Sequence, residues 1–269
     1  MLTLYVEGIG LAGPGFFDWT AAEPFLAGRT PYMPAPFVTP VIDLLPPAER
    51  RRVSVTVKLA LSIAQQAVKA ADRDAATLAS VFASSGGDGD TIHAILETLL
   101  TPDREVSPTR FHNSVHNAPS GYWGLATQCR EPSTTICAHD WTFGAALLEA
   151  AAQLTADKRP MLLVAYDKAY PEPLNHARPI AEGFGVALVL APQENSHSVA
   201  RLTLDVTEGP TVDSMMADER LERLRRENPA ARALPLLGAL ARAVPETVIL
   251  ESAPGLSLRL AVTTLRSRS

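Results

Sequence analysis

The stretch "STTICAHDWTFGAALLEA", residues 133–150, changes character twice. Residues 133–138 are rich in β-formers and read as a buried strand. His139 and Asp140 follow as a polar turn, and from residue 143 apolar side chains recur at helical spacing to about 156. Strand, sharp turn and helix is the arrangement on which many α/β enzymes mount a nucleophile. Here the turn offers His139 and Asp140, while Cys137 still lies within the strand. The stretch therefore sets the fold class and raises the question of whether the elbow keeps a nucleophile.

Outward from it, strands are predicted at 2–10, at 78–87 running into a glycine turn, and at 159–167, 183–191 and 200–208. Residues 246–252 and 256–265 read as a closing strand pair. Helices are predicted at 47–71, 90–100, 120–128 and 143–156, and over most of 213–243 with breaks near Pro229 and Pro235. Residues 23–47 are dense in proline and read as an ordered arm without regular structure. Strands alternating with helices predict an α/β protein with a mainly parallel sheet covered on both faces.

The chain has 269 residues, 46% of them hydrophobic, enough to bury a substantial core. The net charge of −5 gives no reason to expect a nucleic-acid partner, and no basic patch interleaved with aromatics appears. The main basic cluster, "DERLERLRREN" at 218–228, is balanced by acids and reads as a solvated helix face. Cys129 and Cys137 are the only cysteines and form no CxxC, which points to thiols of a reducing compartment. The first basic side chain is Arg29, so no secretory leader is expected; no apolar run would span a bilayer. A cytoplasmic protein is the expectation.

Three further clusters carry possible chemistry. His112 and His116 stand four apart, a spacing used for zinc on a helix, but no third ligand is evident. No metal and no cofactor are expected. The loop "SSGGDGD" (84–90) is glycine-rich, yet its aspartates would repel a phosphate, so it reads as a tight turn. His139 and Asp140 are an acid–base pair only if both reach one cavity, and neighbours at a strand end point apart. Asp140 is expected to cap the helix that starts near Trp141.

Several stretches together resemble the amino-terminal half of a β-ketoacyl synthase, an enzyme of the thiolase fold. "YVEGIGLAGPG" resembles that family's opening strand and turn, and "VFASSGGDGDTI" its second strand and glycine-rich loop. "VSPTRFHNSVHNAPSG" resembles its "SPxxxPxxxxNxxAG" segment at Ser107, Pro108, Asn117 and Gly121; "EPSTTI" and "GFGVALVLAP" resemble later strands. The resemblance covers roughly residues 1–195. It implies a thiolase-like fold, mainly the amino-terminal half, with 196–269 as a shortened carboxy-terminal α/β remnant packed on it. A lone half would expose an apolar helix layer unless 210–269 or a partner covers it.

Counted from Asn117 and Gly121, the family's nucleophilic cysteine falls on Asp140. A carboxylate is a poor acceptor for an acyl group from a thioester. Phe143 replaces a small residue of the family's elbow, and no histidine follows residue 197. Cys137 lies three residues early, and its bland reading is a buried strand thiol. A member without its cysteine resembles a chain-length factor, the subunit that pairs with an active ketosynthase and closes its acyl tunnel. "FHNSVHN" resembles the aryl-polyene subgroup of these factors. The resemblance implies a full-length ketosynthase as partner, acyl carrier protein reaching the complex, and Asp88, Thr91, Ile95, Arg110, His112 and His116 facing partner or tunnel. Tyr122 and Trp123 would pack the dimer contact. The rival reading is a stand-alone acyl-transferring or hydrolytic enzyme using Cys137 or His139 with Asp140.

Overall fold

The computed structural model describes residues 1–265 and places eight strands in one sheet, ordered β3-β2-β4-β5-β1-β6-β8-β7. They are β1 (Leu2–Ala12), β2 (Ala79–Ala83), β3 (Ser133–Ile136), β4 (Met161–Asp167), β5 (Phe184–Ala191), β6 (Ala200–Glu208), β7 (Glu246–Ala253) and β8 (Leu256–Thr264). The helices are α1 (Trp19–Leu26), α2 (Pro47–Arg52), α3 (Val55–Ala70), α4 (Gly89–Leu99), α5 (Pro108–Asn113), α6 (Ala118–Thr127), α7 (Thr142–Asp157), α8 (Leu174–Ala177), α9 (Glu219–Glu227) and α10 (Leu234–Arg242).

The sheet is mixed rather than mainly parallel. β2 runs parallel to β3 and β4, and every other neighbouring pair is antiparallel. The expectation failed because β4 and β5 are continuous apolar runs, "MLLVAYD" and "FGVALVLA". Such runs report burial on both faces, which helices impose whatever the strand direction.

One face carries α3, whose apolar side packs on β1, β5 and β4. Gly8 and Gly10 make that contact possible: a Cβ on Gly10 would lie 1.9 Å from the Ile63 carbonyl oxygen of α3. The predicted helix 47–71 is broken. Val53 is extended and buried, and Ser54 caps α3 by accepting a hydrogen bond from the Val57 N–H. Asp18 caps α1, which stays helical through Pro24 and so runs into the first residues of the proline-rich arm, to Leu26; residues 27–46 carry no helix or strand, as expected.

The opposite face carries α7, α1 and α10 over a second apolar cluster. α7 lies against β4, β1 and β2 on one side and β7 on the other. A Cβ on Gly144 would fall 2.3 Å from the Glu251 carbonyl oxygen, so β7 crosses α7 backbone to backbone. The closing strands, with α9 and α10, thus cover the helix layer that a lone half would expose. Residues 213–218 are not helical; they run beside β7. Ser214 N–H donates to the Ile249 carbonyl, and Asp213 accepts from the Glu251 N–H, which caps that sheet edge. Pro229 starts a short 3-10 turn, and Pro235 sits in the first turn of α10, where its missing N–H costs nothing.

Candidate functional site

β3 ends at Ile136, two residues sooner than expected, so Cys137 is not a buried strand thiol. It is exposed, and its thiol donates to the Ser85 carbonyl at 3.1 Å. His139 then takes a left-handed backbone (φ +52°), a conformation costly for a side chain with a Cβ, and turns the chain into α7. Thr142 holds the turn: its Oγ1 accepts from the Ala138 N–H at 3.1 Å and donates to the His139 carbonyl at 2.6 Å.

Asp140 does not cap α7. Its Oδ1 accepts from Nη2 of Arg178 at 3.0 Å, and its Oδ2 lies 3.5 Å from Nδ1 of His139. The two side chains meet because the left-handed residue abolishes the strand alternation that would separate them. Both line a cleft of about 390 Å³ together with Arg178, Ile180, Arg226, Glu227 and Pro229. Phe143 is buried behind the turn. Among the described residues no hydrogen bond joins Cys137 to an imidazole.

Below the elbow sits a carboxylate that sequence reasoning missed. Asp167 ends β4 almost fully buried. Its Oδ1 accepts from Oγ of Ser84 (3.0 Å) and from both the N–H and Oγ of Ser85 (2.8 Å each). Its Oδ2 has no partner among the described residues. Burial pushes its carboxyl up to about 6, against the pull of the Ser85 and Ser84 hydrogen bonds and of Arg178. The neighbouring Tyr166 hydroxyl is pushed up strongly, by burial and by the charges of Asp167 and Asp88.

The residues expected to face a partner fall into two groups. Asp88 is the N-cap of α4, accepting from the Thr91 N–H (3.1 Å) and Thr91 Oγ1 (2.9 Å). Thr91 is buried and Ile95 half-buried, so Ile95 is not core. Arg110 is exposed on α5, which lies against α4. His112 and His116 do not share a helix, because α5 stops at Asn113 and the next helix starts at Ala118 rather than Ser120 as expected. His112 is exposed, edge-on to Tyr122; Nε2 of His116 meets the Ser84 carbonyl oxygen at 3.0 Å. Tyr122 and Trp123 are buried under α3 and do not form an exposed contact.

The exposed apolar surface lies beside them. Ile92, Leu96 and Leu99 form one stripe on α4, at i, i+4 and i+7. Phe111, Val115 and Leu125 stand 70%, 52% and 63% exposed around an apolar groove of about 610 Å³ between α5 and α6. The outer edge of β3 is open, with no strand beyond it among the described residues. Among them, too, no helix is long and apolar enough to cross a membrane.

A mixed sheet between helix layers, with a strand–turn–helix elbow at the end of its parallel strands, defines a thiolase-like ketosynthase architecture. Residues 27–242 match the model of the β-ketoacyl synthase N-terminal domain, and the chain belongs to that family. Among curated proteins nothing matches. Of solved structures, a chain of the ketosynthase ApeO in complex with its chain length factor ApeC, from Xenorhabdus doucetiae, is similar at 19% identity and TM-score 0.74, over 97% of this chain and 100% of that one. A chain of AntDE:AntF, a type II polyketide synthase acyl-carrier protein in complex with its ketosynthase, is similar at 14% identity and TM-score 0.76, over 98% and 99%. A β-ketoacyl synthase from Burkholderia phymatum STM815 is similar at 12% identity and TM-score 0.67, over 99% and 100%.

Proposed function

We propose that this chain is a non-catalytic, chain-length-factor-like subunit that pairs with a full-length ketosynthase and bounds its acyl tunnel. The pathway class is polyene or fatty-acid-type biosynthesis in the cytoplasm, with aryl polyenes as the narrower assignment. The observation that carries the reading is the elbow. Position 140 holds a carboxylate ion-paired to Arg178, and the nearest thiol donates its proton to a backbone carbonyl. A carboxylate is a poor acyl acceptor, and among the described residues Cys137 has no imidazole hydrogen-bonded to it to take its proton.

The surfaces support pairing. One sheet edge is capped by Asp213 and Ser214, while the β3 edge, the α4 stripe and the α5–α6 groove are left uncovered. Exposed apolar side chains grouped on one helix face and around one groove are the kind of surface that marks an interaction site. In the complex the partner's thiol performs condensation on chains brought by acyl carrier protein. α4, carrying Asp88, Thr91 and Ile95, forms the far wall of the tunnel, with Arg110, His112 and His116 at its border. A side chain protruding there stops elongation by steric contact.

The test is co-expression with the ketosynthase of the same gene cluster. A stable complex is expected, together with no condensing activity and no acyl adduct when the chain alone meets acyl thioesters. An acyl-enzyme on Cys137, seen by intact mass, would overturn the reading. A self-dimer that ignores the ketosynthase would overturn the pairing.

A further inference from the structure

α4 is poorly anchored by its own side chains. Of its residues only Gly89 and Thr91 are buried, and Ile92, Leu96 and Leu99 point to solvent. The helix it lies against is α5, itself six residues long. Eleven residues do not hold a helix in water without tertiary support. Its position must come from elsewhere.

The support converges from one tetrapeptide at the end of β4, Asp167–Tyr170. The Asp167 carboxylate gathers Ser84 and Ser85 with three hydrogen bonds, and Ser84 Oγ in turn accepts from the Gly87 N–H at 2.9 Å. Nζ of Lys168 reaches Oδ2 of Asp90, in the first turn of α4, at 2.7 Å. The buried Tyr170 ring lies flush on two glycines: a Cβ on Gly86 would come 1.9 Å from its hydroxyl oxygen, and one on Gly89 2.5 Å from its Cδ1. Carboxylate, ammonium and ring each grip a different point of the 84–90 loop.

We infer that Asp167, Lys168 and Tyr170 are positioning residues that clasp the start of α4 to the sheet, so that its apolar stripe stays free and correctly aimed at a partner. The inference deepens the proposed pairing and rests on it for the partner, while the clasp itself is testable on the isolated chain. Lys168 carries the first test because it is part-exposed, and its loss removes one ion pair without opening the core.

Hydrogen–deuterium exchange on the full chain is the readout. In Lys168→Met the α4 amides are expected to exchange about tenfold faster while β4 and β5 stay protected, and Lys168→Arg should restore the wild-type pattern. Tyr170→Ala should show the same selective loosening. α4 exchange unchanged in both Lys168→Met and Tyr170→Ala would overturn the clasp. The second arm measures affinity for the co-expressed ketosynthase, expected to fall about tenfold in Lys168→Met and to recover in Lys168→Arg. Wild-type affinity in Lys168→Met, with α4 loosened, would overturn the aiming role. A wild-type chain that does not bind would overturn the pairing, and exchange would still decide the clasp.

Discussion

Asp167→Asn separates what the buried carboxylate does through its shape from what it does through its charge. In the native chain its carboxyl is pushed to about 6, from an ordinary value of 3.8, chiefly by burial. Between those two values the native state binds more protons than the unfolded one, so stability is lost as pH rises through that window. The gap, at roughly 1.4 kcal/mol per pH unit, amounts to about 3 kcal/mol carried in full below pH ~4 and gone above pH ~6. Asparagine keeps an Oδ1 to accept from Ser84 and Ser85 and puts an amide nitrogen where Oδ2 already lacks a partner. It also removes the titration. The unfolding free energy of Asp167→Asn minus that of the wild type should therefore rise by about 2.5 kcal/mol between pH 4, where the unfolded carboxyl is already half ionised, and pH 7.5. Urea unfolding at a series of pH values measures it, and other titrating groups cancel in the difference. A difference that stays flat across that range, or falls, would refute the claim that burial sets this carboxyl.

Other consequences follow from particular contacts. Glu7 is fully buried, and Arg73 donates to both of its oxygens at 2.7 and 2.8 Å, so Arg73→Ala should cost about 3 kcal/mol in chemical denaturation. Gly10→Ala drives a Cβ into the Ile63 carbonyl and should cost ~3 kcal/mol or leave the protein insoluble; wild-type melting would contradict the β1–α3 contact. Phe111→Ser with Leu125→Ser should leave the melting temperature of the isolated chain nearly unchanged and weaken ketosynthase binding about tenfold or more, read by calorimetry. Thr135→Pro probes the open edge. The carbonyls of Pro132 and Ile136 point to β2, so by alternation the Thr135 N–H points outward, and its removal should spare folding while reducing association in the same assay.

Much of the fold was legible because it is written in burial. Apolar runs located β4 and β5, the closing strand pair lies where it was expected, and the elbow was read from a change of period. Strand direction was not legible, since a strand covered on both faces shows the same run whichever way it points. The break before α3 left a trace, a serine placed three residues before Val57, but the proline start at Pro47 and the apolar period across 53–57 concealed it. At the site, sequence counting brought Asp140 to the turn, yet its partner Arg178 lies 38 residues on, in a proline-rich loop with no pattern to mark it. Asp167 did leave a signal: a carboxylate closing an apolar strand must find donors, and the two serines after β2 were the nearest candidates.

The same contrast bears on how, under the proposed function, such a chain loses chemistry and keeps its shape. Condensation asks for a thiolate at one position, and under the proposed function the carboxylate of Asp140, paired with Arg178, stands there instead. Fold and interface ask for something more distributed. α7 must be covered, and β7 covers it by running its backbone over Gly144. α4 must be held without burying its apolar stripe, and polar grips on the preceding loop leave that stripe in solvent. If the stripe were core, its leucines would be inside and α4 could offer a partner nothing. If the grips were absent, an eleven-residue helix with two buried residues would have no fixed aim. An exposed apolar face held by contacts to the preceding loop costs solubility unless a second protein covers it, and the proposed pairing supplies that cover.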